Sequence, residues 1–582
     1  MRCSHEGEPS TSTLNSKPLN DIGRKQDGSG PVTWMSLPHK PQLFILALCR
    51  LSEPLSNTCL LPYLYYLIRS LQSSSTSGSI SRQGGLLVAL FALSQFATSM
   101  PWAWIANHWG RKPSIVIGLT LSIISNLGFG FSKSIPAAMC WRVVAGIGNG
   151  NIGVMRTMTA EIVKEKKYQG RAFLLLPLVF NSGMVIGLAL GGCLADPVIN
   201  LPWLFGPDGW LNLARDPEGV AWMRKYSYAL PTIVNAGVLT CSLLLAVCGL
   251  KETMPGKTER KDCGLLLGRK VRRLIKGVFS RNRTSGYMAV QANDRDSMEH
   301  ELLEHGQPKP SQRTPCNGAA GNSGIPSKSI WTREVLYTLL SVALLPLHNA
   351  AFMQVFPVFL STPISKSPAT SLIKFNGGLG LPSSTIGLFL SAFGVFGILI
   401  QLFAYPRLQA RFGTLWNYRL ALSVFPFAYI MAPYLALIPT SWHFVFQAIG
   451  IAFILFLQVG ARTFAIPSTV ILLTNSASTP RALSTIHGAG NMLSSLCRAV
   501  GPAVGGVVYA WGVEREIIGV VWWGYLTVIA VLGLGWSWSL KDGEGFNRGE
   551  GQGVEAKKDM EMVTRGPYGV PSADEEKSMR TY

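Results

Sequence analysis

Apolar residues in this chain recur in blocks of roughly 20, parted by short polar segments that are often basic. A helix rising ~1.5 Å per residue needs ~20 apolar residues to cross a ~30 Å hydrocarbon layer, and buried helices of soluble proteins are usually shorter. Hydropathy over ~19-residue windows predicts about twelve spans. Spans one to six run near 43–68, 84–106, 113–132, 136–160, 171–195 and 228–250, and spans seven to twelve near 333–360, 383–405, 415–437, 441–466, 482–510 and 516–540. The pattern predicts an all-α membrane protein, with twelve transmembrane helices in two six-helix bundles over 43–250 and 332–540. The N-tail (1–42), the central segment (251–331) and the C-tail (541–582) hold too little apolar content to fold alone and are expected to be disordered.

Composition sharpens this picture. A chain of 582 residues would by length suggest several soluble domains. Hydrophobic residues at 48% against 14% charged, with a mean hydropathy of +0.26, argue instead for a polytopic membrane protein. The net charge of +21 is concentrated in short inter-span segments and in the central segment, which contains 269-RKVRRLIKG-277. In a membrane chain such basic residues set topology, and no nucleic-acid partner is expected. Arg111, Lys112, Lys164, Lys166, Lys167, Arg407, Arg411 and the central segment fall on one side; Asp196, Asp208, Asp216, Glu218, Glu514 and Glu516 fall on the other. Both termini and the central segment are therefore expected in the cytoplasm, with the lipid bilayer as surroundings. The N-tail lacks the apolar core of a signal peptide, so insertion is expected to start with span one. Plasma membrane and vacuolar membrane are equally compatible, and no address signal separates them.

Ten cysteines, most of them inside apolar runs, behave as small hydrophobes and give no disulfide framework. The outer loop 197–227 is rich in Trp and Pro; Trp203, Trp210 and Trp222 suit the membrane interface, and an ordered lid without a substrate role is its simplest reading. The run 249-GLKETMPGKT-258 suggests a phosphate loop, but Lys251 stands where that motif needs its first Gly, so direct ATP drive is not expected. No cofactor, metal site or catalytic constellation is apparent.

The two halves echo one another. Positions 187-GLALGG-192 of span five and 501-GPAVGG-506 of span eleven both read G-x-x-x-G-G, and 103-AWIANHWGRK-112 after span two echoes 406-PRLQARFG-413 after span eight. Parallel six-helix halves are a transporter architecture. Four stretches, 41-PQLFILALCRLSEPLSNTCLLPYLYYLI-68, 142-RVVAGIGNGNIGVMRTMTAEI-162, 401-QLFAYPRLQARFGTLWNYRL-420 and 480-PRALSTIHGAGNMLSSLCRAVGPAVGG-506, resemble the major facilitator superfamily. The resemblance covers roughly residues 40–540 and is narrower to its drug:proton antiporter group, in particular to fungal relatives of the zinc-induced-facilitator-like transporters.

That resemblance implies a gate in the loop after span two, where a Gly allows close helix approach, an Asp pairs across the halves and basic residues hold the cytoplasmic side shut. Here Ala103 replaces the Gly, Asn107 the Asp and His108 the first Arg, leaving Gly110, Arg111 and Lys112. Asn cannot form the charge pair, so a weaker interlock is expected. Arg407 and Arg411 are the matching residues of the second half. A short basic turn that only sets topology is the plainer alternative. The family's fourth-helix motif matches at Arg142, Gly146, Gly150 and Gly153, whose glycines suit tight packing. Its span-five antiporter motif matches at Gly183, Gly187, Gly191 and Gly192 but has Leu188 for the usual Pro; span eleven keeps Gly501, Pro502, Gly505 and Gly506. A packing seam alone would also account for these glycines.

Glu53 is the one carboxylate well inside a span, ~10 residues and so ~15 Å deep. Burial favours the neutral form of a carboxyl group, as a proton carrier needs. Arg142 enters from the other side to within roughly 6 Å of that depth, counting ~1.5 Å per residue, and is expected to pair with Glu53 and tune it. The rival partner is Arg50, three residues back on the same helix, in a structural ion pair. A substrate path is outlined by Asn57, Asn181, His348, Asn349, Gln354, Gln447, Gln458, Arg462, His487, Asn491 and Arg498, though each alone fits an interhelical hydrogen bond as well. Two His without a carboxylate or Cys cluster are a weak zinc signal. Pro54, Pro346, Pro357, Pro467 and Pro502 are expected to kink their spans.

These features predict a monomeric secondary active transporter, with proton-coupled efflux of a small organic molecule as the leading expectation. Zinc or potassium exchange for protons, and a non-transporting nutrient receptor signalling through 251–331, are the rivals. Enzyme activity is not expected.

Overall fold

The computed structural model describes residues 37–541 apart from 274–330 and shorter gaps, the main ones at 73–75, 164–165, 258–261, 366–368, 439–443 and 477–479. Both tails and most of the central segment, expected to be disordered, lie outside the described residues. Among the described residues, eight helices are long and apolar enough to cross a membrane: Ser77–Trp109, Arg111–Gly130, Ala229–Gly249, Arg333–Ser361, Ser383–Phe412, Thr414–Leu437, Phe444–Asn475 and Thr485–Glu514. Two shorter apolar helices, Leu178–Leu194 and Val521–Ser537, fall in expected spans five and twelve.

Expected spans one and four are helical but broken. Span one runs as Lys40–Cys49, Ser52–Thr58 and Leu64–Leu71. Pro54 and Pro62 each lack the N–H that would reach the carbonyl four residues back, and the interruptions fall where those bonds are missing. Span four runs as Ile135–Gly148 and Ile152–Ile162 around a tight 3-10 turn at Asn149–Asn151, within the run G-N-G-N. Non-helical backbone at membrane depth is tolerated where protein buries it, and Asn149 and Asn151 are both buried.

Each half carries its own glycine seam. In the first half a side chain on Gly183 or Gly187 would strike Pro54 or Thr58 of span one, each at 2.7 Å, and one on Gly191 would land on the Cys59 carbonyl oxygen. Gly192 turns the other way, onto Gly387 of span eight, with 2.6 Å between the would-be Cβ and the opposing Cα. In the second half Gly501 abuts the Leu347 carbonyl of span seven and Gly505 abuts Ala351 at 3.2 Å. Gly506 faces Ser81 and Gly85 of span two, and Gly85 in turn has the carbonyl of Pro502 against it. The repeated G-x-x-x-G-G thus has the same division of labour twice: its first two glycines seat the span in its own half, and the last meets the opposite half. On span four Gly146 and Gly150 press against Phe91, Thr98 and Trp102 of span two, but Gly153 has no neighbour within 4 Å and takes no part in that seam.

The hydrogen bonds that join the halves run from the side away from the central segment to the midplane. Tyr66 donates to the Leu381 carbonyl (2.5 Å), Asn181 to Gln401 (2.7 Å) and Arg498 to Glu53 (2.9 Å). Among the described residues none lies nearer the side bearing the central segment, hereafter the linker face. The described bonds between the halves thus lie at the far face and the midplane, and the interface on their linker-face side is called the cleft below.

Candidate functional site

Glu53 sits on the short helix between the two breaks of span one, with only 2% of its surface exposed. Three groups reach its carboxylate. Arg50 Nη1 donates to one oxygen; Gln95 Nε2 (3.1 Å) and Arg498 Nη1 (2.9 Å) donate to the other. The Gln95 amide also donates to the Asn149 carbonyl (3.2 Å), and Ser52 donates to the Asn149 side chain (3.0 Å), so the broken turn of span four anchors the network. Arg498 further donates to Ser495 (3.0 Å) and Gln95 Oε1 (3.4 Å). Arg498 lies 445 positions along the chain in the other half, so this ion pair crosses the midplane cleft.

The expected pairing of Glu53 with Arg142 is not formed. Arg142 donates instead to the carbonyls of Leu87 (3.1 Å) and Ser56 (2.7 Å) and to the side chain of Asn57 (2.7 Å), and its guanidinium lies 4.6 Å from the Phe91 ring centroid. The reason is register: on a helix the residues facing Arg142, Ser56 and Asn57, sit one turn beyond Glu53. Arg142 is buried and fully supplied with acceptors within its own half. Asn57, expected to line the substrate path, is taken up by this arginine.

Other expected path residues divide. His348 is a core residue: it is buried, its Nδ1 meets the Tyr429 hydroxyl at 2.7 Å and its ring packs edge-on against Phe425, both on span nine and away from the cleft. Gln354 is fully buried beside Gly84, and neither atom of its amide has a partner among the described residues. Gln458 donates to Asn349 (2.8 Å) between spans seven and ten. Asn491 is half-buried without a hydrogen bond among the described residues, and His487 meets Thr474 at 3.1 Å. Asn181 and Arg462 do bridge the halves, the latter through a 3.2 Å contact with the Met184 sulfur.

One residue escaped the sequence reading. Arg156, on the second piece of span four, is exposed, shares the open face of Gly153 three residues before it, and lies within electrostatic range of Arg50, Glu53, Arg498 and His487. A sequence signal existed: Arg142, Asn149 and Arg156 recur every seven residues, a polar stripe down one side of the span.

The loop after span two is held by carboxylates, but of its own half and of the segment after span six. Gly110, with φ 113, ends span two and starts span three. The Glu252 carboxylate accepts from the amides of Arg111 (3.0 Å) and Lys112 (3.1 Å), in the space a Cβ on Gly110 would fill. Arg111 donates to Asn107 (2.6 Å) and pairs with Glu161 (3.1 Å), while Lys112 donates to the Val247 carbonyl (2.8 Å) and pairs with Asp262. Burial raises the Asp262 carboxyl, but the Lys112 ammonium outweighs it and holds the group below the usual carboxylate range. Residues 251–254, 262 and 264–270, expected to be part of the disordered segment, are thus partly an ordered clasp on span three. Among the described residues Arg407 donates to the Phe403 carbonyl alone, and Arg411 lies over the Phe412 ring. The expected contact between these loops across the halves is not made among the described residues.

Residues 46–502 match the family model of the Major Facilitator Superfamily. The chain is 32% identical over 519 residues to the major facilitator superfamily multidrug transporter mfsB of Aspergillus fumigatus, covering 86% of this chain and 83% of that one. It is 24% identical to ZINC INDUCED FACILITATOR 1 of Arabidopsis thaliana over 80% of this chain and 83% of the relative. The solved xylose transporter XylE from E. coli, at 11% identity, superposes with a TM-score of 0.53 over 86% of this chain and 98% of its own, a likeness of fold.

Proposed function

The chain belongs to the major facilitator superfamily, and on that footing we propose that it couples proton entry to the export of a small organic compound. It is a multi-pass membrane protein and a secondary transporter, with a fold that works by rocking two halves around a central site. The likeness to a fungal multidrug transporter supports an organic cargo. The lysines and arginines of the linker face support a cytoplasmic orientation for that face. The cleft then opens to the cytoplasm, the state in which an exporter loads.

The observation that carries the coupling is the crossing bond between Glu53 and Arg498. Ionised, Glu53 binds an arginine of each half. Protonated, it loses the charge attraction to Arg498 while Arg50 stays beside it on the same span, and the midplane restraint between the halves weakens. In this reading Arg142 braces the first half and does not handle the proton. The clasp of Glu252, Glu161 and Asp262 fixes span three to the ends of spans four and six, so that the first half moves as one body.

The test is proton flux in proteoliposomes with an internal pH dye, offering organic cations, organic acids, zinc and potassium in turn to wild type and Glu53→Gln. Substrate-dependent proton movement that disappears in the variant supports the reading. Substrate movement without protons leaves a facilitator, metal-dependent flux alone makes it a cation exchanger, and binding without any flux makes it a receptor.

A further inference from the structure

We propose that the compound carried is an organic anion, its carboxylate or comparable acid group met in turn along the cleft by Arg156, Arg462 and Arg498. This rests on the transport reading above but not on proton coupling. The charge inventory of the cleft is unequal. Among the described residues its one buried carboxylate, Glu53, is already shared between Arg50 and Arg498. Arg156 makes no hydrogen bond or ion pair among the described residues, and of the charged side chains around it two are arginines of the same sign. Arg462 has a single described partner, the Met184 thioether, and sulfur is a weak acceptor that leaves most of a guanidinium's five donors unused. Arg498 spends its terminal nitrogens on Glu53, Gln95 and Ser495, yet its buried Nε has no partner among the described residues.

Arg142 shows what this protein does with an arginine that is only structural: three acceptors and an aromatic face, all within one half. The cleft arginines are not finished in that way. Each cation held at membrane depth costs at least ~2.5–3.5 kcal/mol on insertion scales, so leaving three under-supplied points to a counter-ion that comes and goes. A guanidinium fork matches the two oxygens of an acid group, and a zinc or potassium ion would meet repulsion from the same wall. The order along the path fits loading from the linker face. Arg156 stands near that mouth, six residues from the end of its helix, while Arg462 and Arg498 lie deeper on spans ten and eleven. An anion drawn to Arg498 competes with Glu53 for it.

Purified full-length protein in detergent is titrated with benzoate, 1-naphthoate, the matching uncharged amides, 1-naphthylmethylammonium and zinc chloride, and thermal stabilisation is followed. At least one of the two carboxylates is expected to bind ~10-fold or more tighter than its amide, the margin of one charge-assisted bidentate contact, and the ammonium and zinc to give no stabilisation. Arg156→Gln and Arg462→Gln should each reduce carboxylate binding, Arg156→Lys and Arg462→Lys should keep part of it, and size-exclusion profiles report folding. Equal binding of acid and amide, preference for the ammonium or zinc, or no stabilisation by either acid overturns the proposal on wild-type protein alone. The transport assay separates the two readings. Proton-coupled flux of cations would sink the anion and keep the coupling, and acid binding without proton movement would do the reverse.

Discussion

In the first half the chain leaves span two and enters span three through Gly110, at φ 113; in the second it leaves span eight and enters span nine through Gly413, at φ 81. The same left-handed turn does the same job twice, and both glycines serve as the end of one helix and the start of the next. Their surroundings differ. A Cβ on Gly110 would run into the Glu252 carboxylate, whereas one on Gly413 would meet nothing within 4 Å. The first loop is tied by Glu161, Glu252 and Asp262; among the described residues the second offers its arginines a carbonyl and a ring. Backbone geometry has been kept in both halves while charge partners have diverged, so the halves share a mechanical plan and not an electrostatic one.

The largest effects should come from what the halves share. Gly191→Val and Gly501→Val each force a side chain into a facing carbonyl, and overpacking of this kind costs ~1–3 kcal/mol or more. Both should lower the yield of monodisperse protein severely and to a similar degree, and a clear inequality would mean that only one seam is structural. Next comes the crossing ion pair. Arg498→Gln leaves Glu53 with Arg50 and Gln95, while Glu53→Gln leaves the buried Arg50 and the partly exposed Arg498 short of their counter-charge, a loss of up to ~3–5 kcal/mol where a buried pair is broken. Both should reduce proton-coupled flux at least ~10-fold, and the double variant should be little worse than either single one, since the two act as a unit. Arg142→Gln tests the contrast: its effect should appear in stability, and added to Glu53→Gln it should be additive.

A smaller effect separates the two loops. Glu252→Ala removes the acceptor for two amides at the start of span three and should cost ~1 kcal/mol, in the range of a lost helix cap, seen as a lower unfolding midpoint. Arg411→Ala should leave that midpoint unchanged; a comparable drop would erase the distinction. The smallest effect is a pH dependence at Lys112–Asp262. Because the Asp262 carboxyl is depressed in the folded protein, the pair contributes above the usual carboxylate range and is lost only as pH falls through the lower folded value. Hydrogen exchange of 264–270, corrected for intrinsic rates, should stay protected through the usual carboxylate range and rise only below it, whereas protection lost within that range would show that Lys112 does not hold this group.

Most of the fold was legible because bilayer thickness and helical rise leave one reading for runs of ~20 apolar residues. The glycine echo was legible for a similar reason: close approach of backbones tolerates few residues. Breaks in spans one and four were less visible, since hydropathy windows average over Pro62 and the G-N-G-N turn. At the site, depth along a span can be counted but azimuth across a bundle cannot. Arg142 and Glu53 lie at neighbouring depths and still miss each other by a turn, while Arg498, named only as one of many polar residues, closes the pair from the far half. Arg156 was overlooked because it sits close enough to the end of its span to read as a topology signal. Glu252 and Asp262 were hidden by the low complexity of the central segment they introduce, although Glu252 stands directly after span six, where a carboxylate can reach the start of a neighbouring helix.

The contacts of Gly192 on Gly387 and Gly506 on Gly85 have a consequence for the wear of a moving part. These surfaces meet as bare backbone, and the polar groups of that backbone remain bonded inside their own helices. Parting them forfeits dispersion alone, which lipid tails or water can in large measure replace, and no donor or acceptor is stranded in the hydrocarbon. A seal of this kind opens without unbonded intermediates and recloses without a search for partners, so it can cycle indefinitely at little energetic friction.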